Sequence, residues 1–138
     1  MTRLSIETFR PVFPRSALIS TVLRIALGLI YTLAGVNGFF LYAGLEPFLS
    51  KSPAAIELLG TGYLLVLEKS AELAGGLLLL SGRFIPLALL ALFPITLNIA
   101  AFHLFVDPAL LLPVLAMFLA HGYMLWAARR HYASLLCP

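Results

Sequence analysis

Three ionisable residues, Glu68, Lys69 and Glu72, lie inside the long apolar run GYLLVLEKSAELAGGLLLLSGR at residues 62–83. A charge near the centre of a bilayer costs roughly 2.5–3.5 kcal/mol on insertion scales, so a cluster of this kind needs partners or a purpose. On a helix, Glu68 lies about 40° to one side of Glu72 and Lys69 about 60° to the other, so all three share one face. Two carboxylates beside an ammonium could bond a polar headgroup, pass a proton, or fasten helices as an ion-pair network. One of the three could also snorkel to the headgroups. Further along, Asn98, His103 and Asp107 follow one another at roughly one-turn spacing, and His121 sits in the last apolar stretch. His103 and Asp107 offer too few ligands for a metal site, and none is expected. His103 and His121 are separated by roughly 14 Å along the bilayer normal, too far apart in depth to be axial ligands of one haem.

The elements that carry these residues are hydrophobic throughout. Of 138 residues, 62% are hydrophobic and 11% charged, and mean hydropathy is +1.03. A soluble domain carries about 25% charged residues, so the class is integral membrane. The net charge of +3 comes mostly from basic residues flanking apolar spans, which reads as membrane topology and not as a nucleic-acid partner. The single cysteine, Cys137, permits no internal disulfide and no CxxC pair. Phosphate-loop, dinucleotide-binding and serine-nucleophile motifs are absent, so no cofactor follows from a motif.

The expected fold is all-α: an integral membrane four-helix bundle with spans at about 16–43, 62–81, 84–105 and 108–128. A basic arm (1–15) precedes it and a short tail (129–138) follows. Arg3, Arg10, Arg15, Arg83, Arg129 and Arg130 fall on one side and only Lys51 on the other, which sets an N-in, C-in topology. The first apolar run is too long for a signal-peptide core and is read as a retained span. Along it, Arg24, Gly28, Tyr31, Gly35, Gly38 and Tyr42 form a stripe suited to close helix packing, and Asn37 points about 140° away toward a second contact. Between the first two spans, Ser52 and Pro53 resemble an N-cap and first helical residue with Gly60 as a stop. A short interfacial helix over 53–59 and an irregular loop are equally compatible. Pro94 should kink the third span, and Asp107 with Pro108 should start the fourth.

Depth counting places Arg24 and His121 at one level, then Glu72, then Glu68, Lys69 and Asn98, then His103 with Asp107. On this ladder Arg24 is the expected ion-pair partner of Glu72. His121 reads as a packed, hydrogen-bonded core histidine.

Three stretches, LRIALGLIYTLAG (23–35), ELAGGLLLLSGRFIPLALLALFPITLNIAAFHLF (72–105) and YMLWAARRHYASLL (123–136), resemble the DoxX-like family of small four-span bacterial membrane proteins. The specific parts are E-x-x-G-G-L-L-L-L-x-G-R and N-x-x-x-x-F-H-x-F-x-D-P. That family's first helix often places a lysine shortly after its A-G pair, where this chain has Asn37 and Gly38. The resemblance implies a multi-pass protein of the bacterial cytoplasmic (inner) membrane. Relatives include a membrane subunit of thiosulfate:quinone oxidoreductase and proteins associated with redox partners.

Two readings of function stand open, with a third behind them. The first is a redox-linked or quinone-interacting accessory subunit, such as one of a membrane oxidoreductase, whose ligand-binding residues are Glu72, Glu68, His103, Asn98 and Arg24; its ligand would be a quinone or lipid, and its partner a soluble or membrane redox protein. The second is a non-enzymatic protein whose polar cluster only holds the bundle while its basic face binds a partner. A small dimeric transporter ranks third, because the six-to-one arginine bias opposes dual insertion; homo-oligomers remain compatible with any of these.

Overall fold

The computed structural model describes residues 17–50, 52–60 and 62–133. The expected basic arm, Lys51 and Cys137 lie outside the described residues. Among the described residues there are five α-helices, α1 (Ala17–Tyr42), α2 (Pro53–Leu59), α3 (Tyr63–Ser81), α4 (Ile85–Phe105) and α5 (Leu111–Ala127), with single 3-10 turns at Pro108–Leu110 and Arg129–His131. No strand occurs among the described residues. α1, α4 and the stretch Pro108–Ala127 are each long and apolar enough to cross a membrane. Leucines on their outer faces are open, Leu112 at 80% and Leu119 at 70% exposure, as a lipid-facing surface requires. The chain is a helical membrane bundle.

α3 carries too many charges to pass as a span on apolarity alone, yet its 19 residues extend about 28 Å, close to a bilayer's hydrocarbon thickness. It runs antiparallel to α1 along nearly the whole length of both. Gly38 faces Lys69, Gly35 faces Leu73, Thr32 faces Gly76 and Gly28 faces Leu80, so each step of one turn along one helix is matched by a step of one turn along the other. A Cβ on Gly35 would stand 2.9 Å from the Leu73 backbone nitrogen, and one on Gly76 would stand 2.7 Å from that of Thr32. The glycines are therefore what lets two backbones touch, the mode of association expected where lipid removes the hydrophobic drive between helices. Of the expected α1 stripe, Gly28, Gly35 and Gly38 meet α3, Tyr31 is buried at 1% exposure, and Tyr42 is exposed.

The turn from α3 to α4 closes tightly. Gly82 adopts a left-handed conformation (φ 70°) and its N–H bonds the Leu78 and Leu79 carbonyls, ending α3 as a glycine C-cap does. α4 is continuous across Pro94, which removes only the one N–H that would have met the carbonyl four residues earlier.

A second junction joins α1, α4 and α5. His121 is fully buried, and its Nε2 lies 2.9 Å from the Leu89 carbonyl oxygen, so Nε2 carries the proton and donates. Its Nδ1 then accepts, 3.0 Å from the Tyr31 hydroxyl and 2.7 Å from that of Thr96. Tyr31 and Thr96 bond one another, and Thr96 lies 2.9 Å from the Leu92 carbonyl. Two hydroxyl protons are shared among these four close contacts, which link three helices around His121.

Replacing Gly35 by alanine should destabilise the bundle by about 1–3 kcal/mol, because backbone must move to admit the methyl group. Gly122→Ala, where a Cβ meets nothing within 4 Å, should be neutral or stabilising. Thermal unfolding of the detergent-solubilised variants checks both, and equal effects would contradict the packing described.

Candidate functional site

At the end of the bundle away from Arg83, Arg129 and Arg130, a pocket of about 400 Å³ opens among α1, α3 and α4 beneath α2. Its walls are mainly apolar, with Leu41, Ile56, Leu59, Leu65, Ile99 and Phe102 among them. Glu68, Lys69, Asn98 and His103 supply polar groups, joined by Ser50, Ser52 and Asp107 from the connections. This is the usual make-up of a small-molecule site: an apolar slot with a few convergent polar atoms.

The pocket exists because two connections fold over the same end. Asn37, 2% exposed, clamps the first of them from α1. Its Oδ1 accepts from the Leu49 N–H at 2.9 Å, and its Nδ2 donates to the Leu49 carbonyl at 3.1 Å. Ser52 then precedes Pro53 at the start of α2, and Gly60 ends the helix with φ 64°. The Ser52 hydroxyl makes no cap bond to α2 and instead hydrogen-bonds the Asp107 carboxylate, which also accepts from the Ala109 N–H at 3.1 Å. These bonds, that of Ser52 first, hold the Asp107 carboxyl below its ordinary value of 3.8. On the same turn, His103 Nδ1 lies 2.7 Å from the Asp107 backbone carbonyl, so Nδ1–H donates and Nε2 is the ring nitrogen left over.

The charged face of α3 is arranged around Lys69. Its ammonium donates to Glu68 Oε1 at 2.7 Å and to Glu72 Oε1 and Oε2 at 2.8 and 2.9 Å. An ammonium has three protons, and three contacts engage them. Glu72 is 1% exposed and forms the back of the triad, whereas the Glu68 side chain retains 14% and reaches the pocket. The lysine stem lies directly across Gly38, where any side chain would collide with it. An ammonium therefore arrives from α3 beside the α1 position at which the resemblance leads one to look for a lysine.

Of the residues singled out from sequence, the structure brings Glu68, Asn98 and His103 to one pocket and places Glu72 immediately behind it through Lys69. Arg24 is not part of this group. Its guanidinium donates to the Leu79 and Leu80 carbonyls, the latter at 3.1 Å, about two turns beyond Glu72. The expected Arg24–Glu72 pair is thus replaced by two other interactions. Glu72 takes its ammonium from its own helix, and Arg24 caps the C-terminus of α3, where unpaired carbonyls and the helix dipole favour a cation. Lys69, Ser52 and Asp107 are the pocket residues that site reasoning from sequence passed over. From sequence, Lys69 reads as one of three charges that either bind a headgroup or fasten the bundle, Ser52 as a helix cap, and Asp107 as a cap beside His103. The available signal was that both caps lie in connections at the same end of the bundle.

With this geometry established, comparison with known proteins identifies the class. The DoxX family model matches residues 19–105, more than half of the chain, and the protein belongs to that family of membrane proteins. The matched region holds nearly all of α1, all of α2 to α4, and Arg24, Glu68, Lys69, Glu72, Asn98 and His103, with Asp107 just beyond it. No curated protein and no solved structure gives a significant match.

Two outcomes follow for this site. Lys69→Met leaves two buried carboxylates without their cation and should cost about 3–5 kcal/mol of stability, far more than Glu68→Gln at the pocket edge; chemical unfolding in detergent measures the difference. The Ser52–Asp107 tie involves a carboxyl whose folded pKa is depressed, so its contribution is present above the ordinary Asp value and lost as pH falls through the folded one. Protection of the α2 amides, taken relative to their intrinsic exchange rate at each pH, should therefore be constant from neutrality down to about 5 and fall as the pH drops below 3.8. Protection already lost near neutrality would contradict the assignment.

Proposed function

We propose that this DoxX-family protein is a redox-linked accessory subunit of the bacterial cytoplasmic membrane whose pocket receives the headgroup of a quinone. The carrying observation is the convergence of Glu68, Asn98 and His103 on an apolar cavity of about 400 Å³ lying within the bundle. An isoprenoid tail would leave between the helices toward lipid, and the ring would meet the polar groups of α3 and α4. With the arginine-bearing end toward the cytoplasm, the pocket faces the outer leaflet, and Arg83, Arg129 and Arg130 face any cytoplasmic redox partner. The protein has no redox group of its own in this reading; it positions a quinone for a partner that supplies the electrons.

A second reading is favoured by one observation. All three protons of the Lys69 ammonium are engaged within α3, so the triad needs no ligand to be satisfied. Glu68, Lys69 and Glu72 would then only hold α3 in the membrane, and function would lie in partner binding at the arginine-bearing end.

Titration of a short-tailed quinone into purified protein separates the two. Asn98→Leu, which removes the amide from which a quinone carbonyl would accept, should weaken binding by about tenfold, the loss expected for one hydrogen bond to a buried group. Arg24→Gln should lower thermal stability with binding intact. Unchanged affinity in the Asn98 variant would remove the quinone reading and leave the structural one.

A further inference from the structure

We infer that the pocket prefers the reduced, hydroxyl-bearing form of its ligand, a quinol, over the quinone; this rests on the quinone reading above. The ground is a count of donors and acceptors still open to an occupant. The Lys69 ammonium, the strongest donor in the wall, has each of its protons on a carboxylate oxygen, and turning one toward a ligand would break its contact with Glu68 or weaken its bidentate hold on Glu72. His103 donates through Nδ1 to the Asp107 carbonyl, so the neutral imidazole offers Nε2 as a lone pair. Glu68 uses Oε1 on Lys69, and its Oε2 has no partner among the described residues. The Asp107 carboxylate adds further lone pairs at the mouth. On the donor side stand the Asn98 amide and the Ser50 hydroxyl, since the Ser52 proton goes to Asp107.

A quinone carbonyl is an acceptor only. It can take the Asn98 N–H₂ or the Ser50 O–H, but an oxygen seated beside Glu68 or His103 would face carboxylate or imidazole lone pairs, which is repulsive and leaves a polar group unbonded. A quinol carries two O–H donors that suit Glu68 Oε2 and His103 Nε2, and a hydrogen bond to an ionised acceptor is among the stronger kinds. The chain would thus hold the product of quinone reduction, or the substrate of quinol oxidation, more tightly than its oxidised counterpart.

The test compares the affinity of the purified full chain for decyl-ubiquinone and decyl-ubiquinol, the latter anaerobically, at mildly alkaline pH. The quinol should bind at least about tenfold more tightly. Glu68→Gln, which keeps the shape but turns an acceptor into a donor, should bring the two forms within about threefold, and His103→Gln should do the same. Equal or tighter quinone binding by the unmodified chain overturns the preference while leaving the pocket as a quinone site. Binding of neither form overturns the quinone reading itself. A preference that survives in both variants contradicts the assignment to Glu68 and His103.

Discussion

Two carboxylates and an ammonium taken from water into an apolar bundle cost several kcal/mol per ion unless they meet one another in good geometry, and breaking such a set exposes that cost at once. Lys69, reaching both Glu68 and Glu72, meets the requirement within a single helix. The consequences run outward from there. The lysine stem needs space on the neighbouring helix, and Gly38 provides it; Gly35, Gly28 and Gly76 continue the same close approach, so α1 and α3 lie backbone to backbone. That contact brings Arg24 onto the last carbonyls of α3. At the other end it leaves Glu68 facing a cavity instead of lipid. The polar groups and the small residues are two sides of one packing arrangement.

Much of this frame could be read from the chain itself, because it rests on local rules. Apolar length marks three spans, Ser52, Pro53 and Gly60 bound a short helix, Gly82 ends α3, and helical periodicity puts Glu68, Lys69 and Glu72 on one face. Register between helices is not local. Depth counting placed Arg24 and Glu72 near enough to pair, but the α1–α3 alignment carries the guanidinium on to Leu79 and Leu80. The partners of Tyr31, Thr96 and His121 lie on three helices and have no sequence spacing to betray them. Asn37 was visible as a residue off the packing stripe; its two bonds to Leu49 depend on a loop path that no periodicity predicts.

The same distinction applies to the candidate site. Glu68, Asn98 and His103 were recognisable as polar residues too deep for comfort in an apolar chain. Their meeting in one cavity depends on the packing of α3 against α4, and the Ser52–Asp107 contact joins two connections far apart in sequence at the same end. Membership of the DoxX family covers this region and places the protein in a membrane. The pocket wall itself is an apolar slot that ends in an acceptor-rich polar cluster.

The central claim is that this cavity is a ligand site and not merely a gap left by packing around a fastened triad. The most direct measurement is an experimental structure of the protein extracted with its native lipids. Planar density for a ring seated between Glu68 and His103, with a tail running between α3 and α4, is the predicted result. A cavity holding only water, or closed by the side chains of α2 and α4, would contradict it.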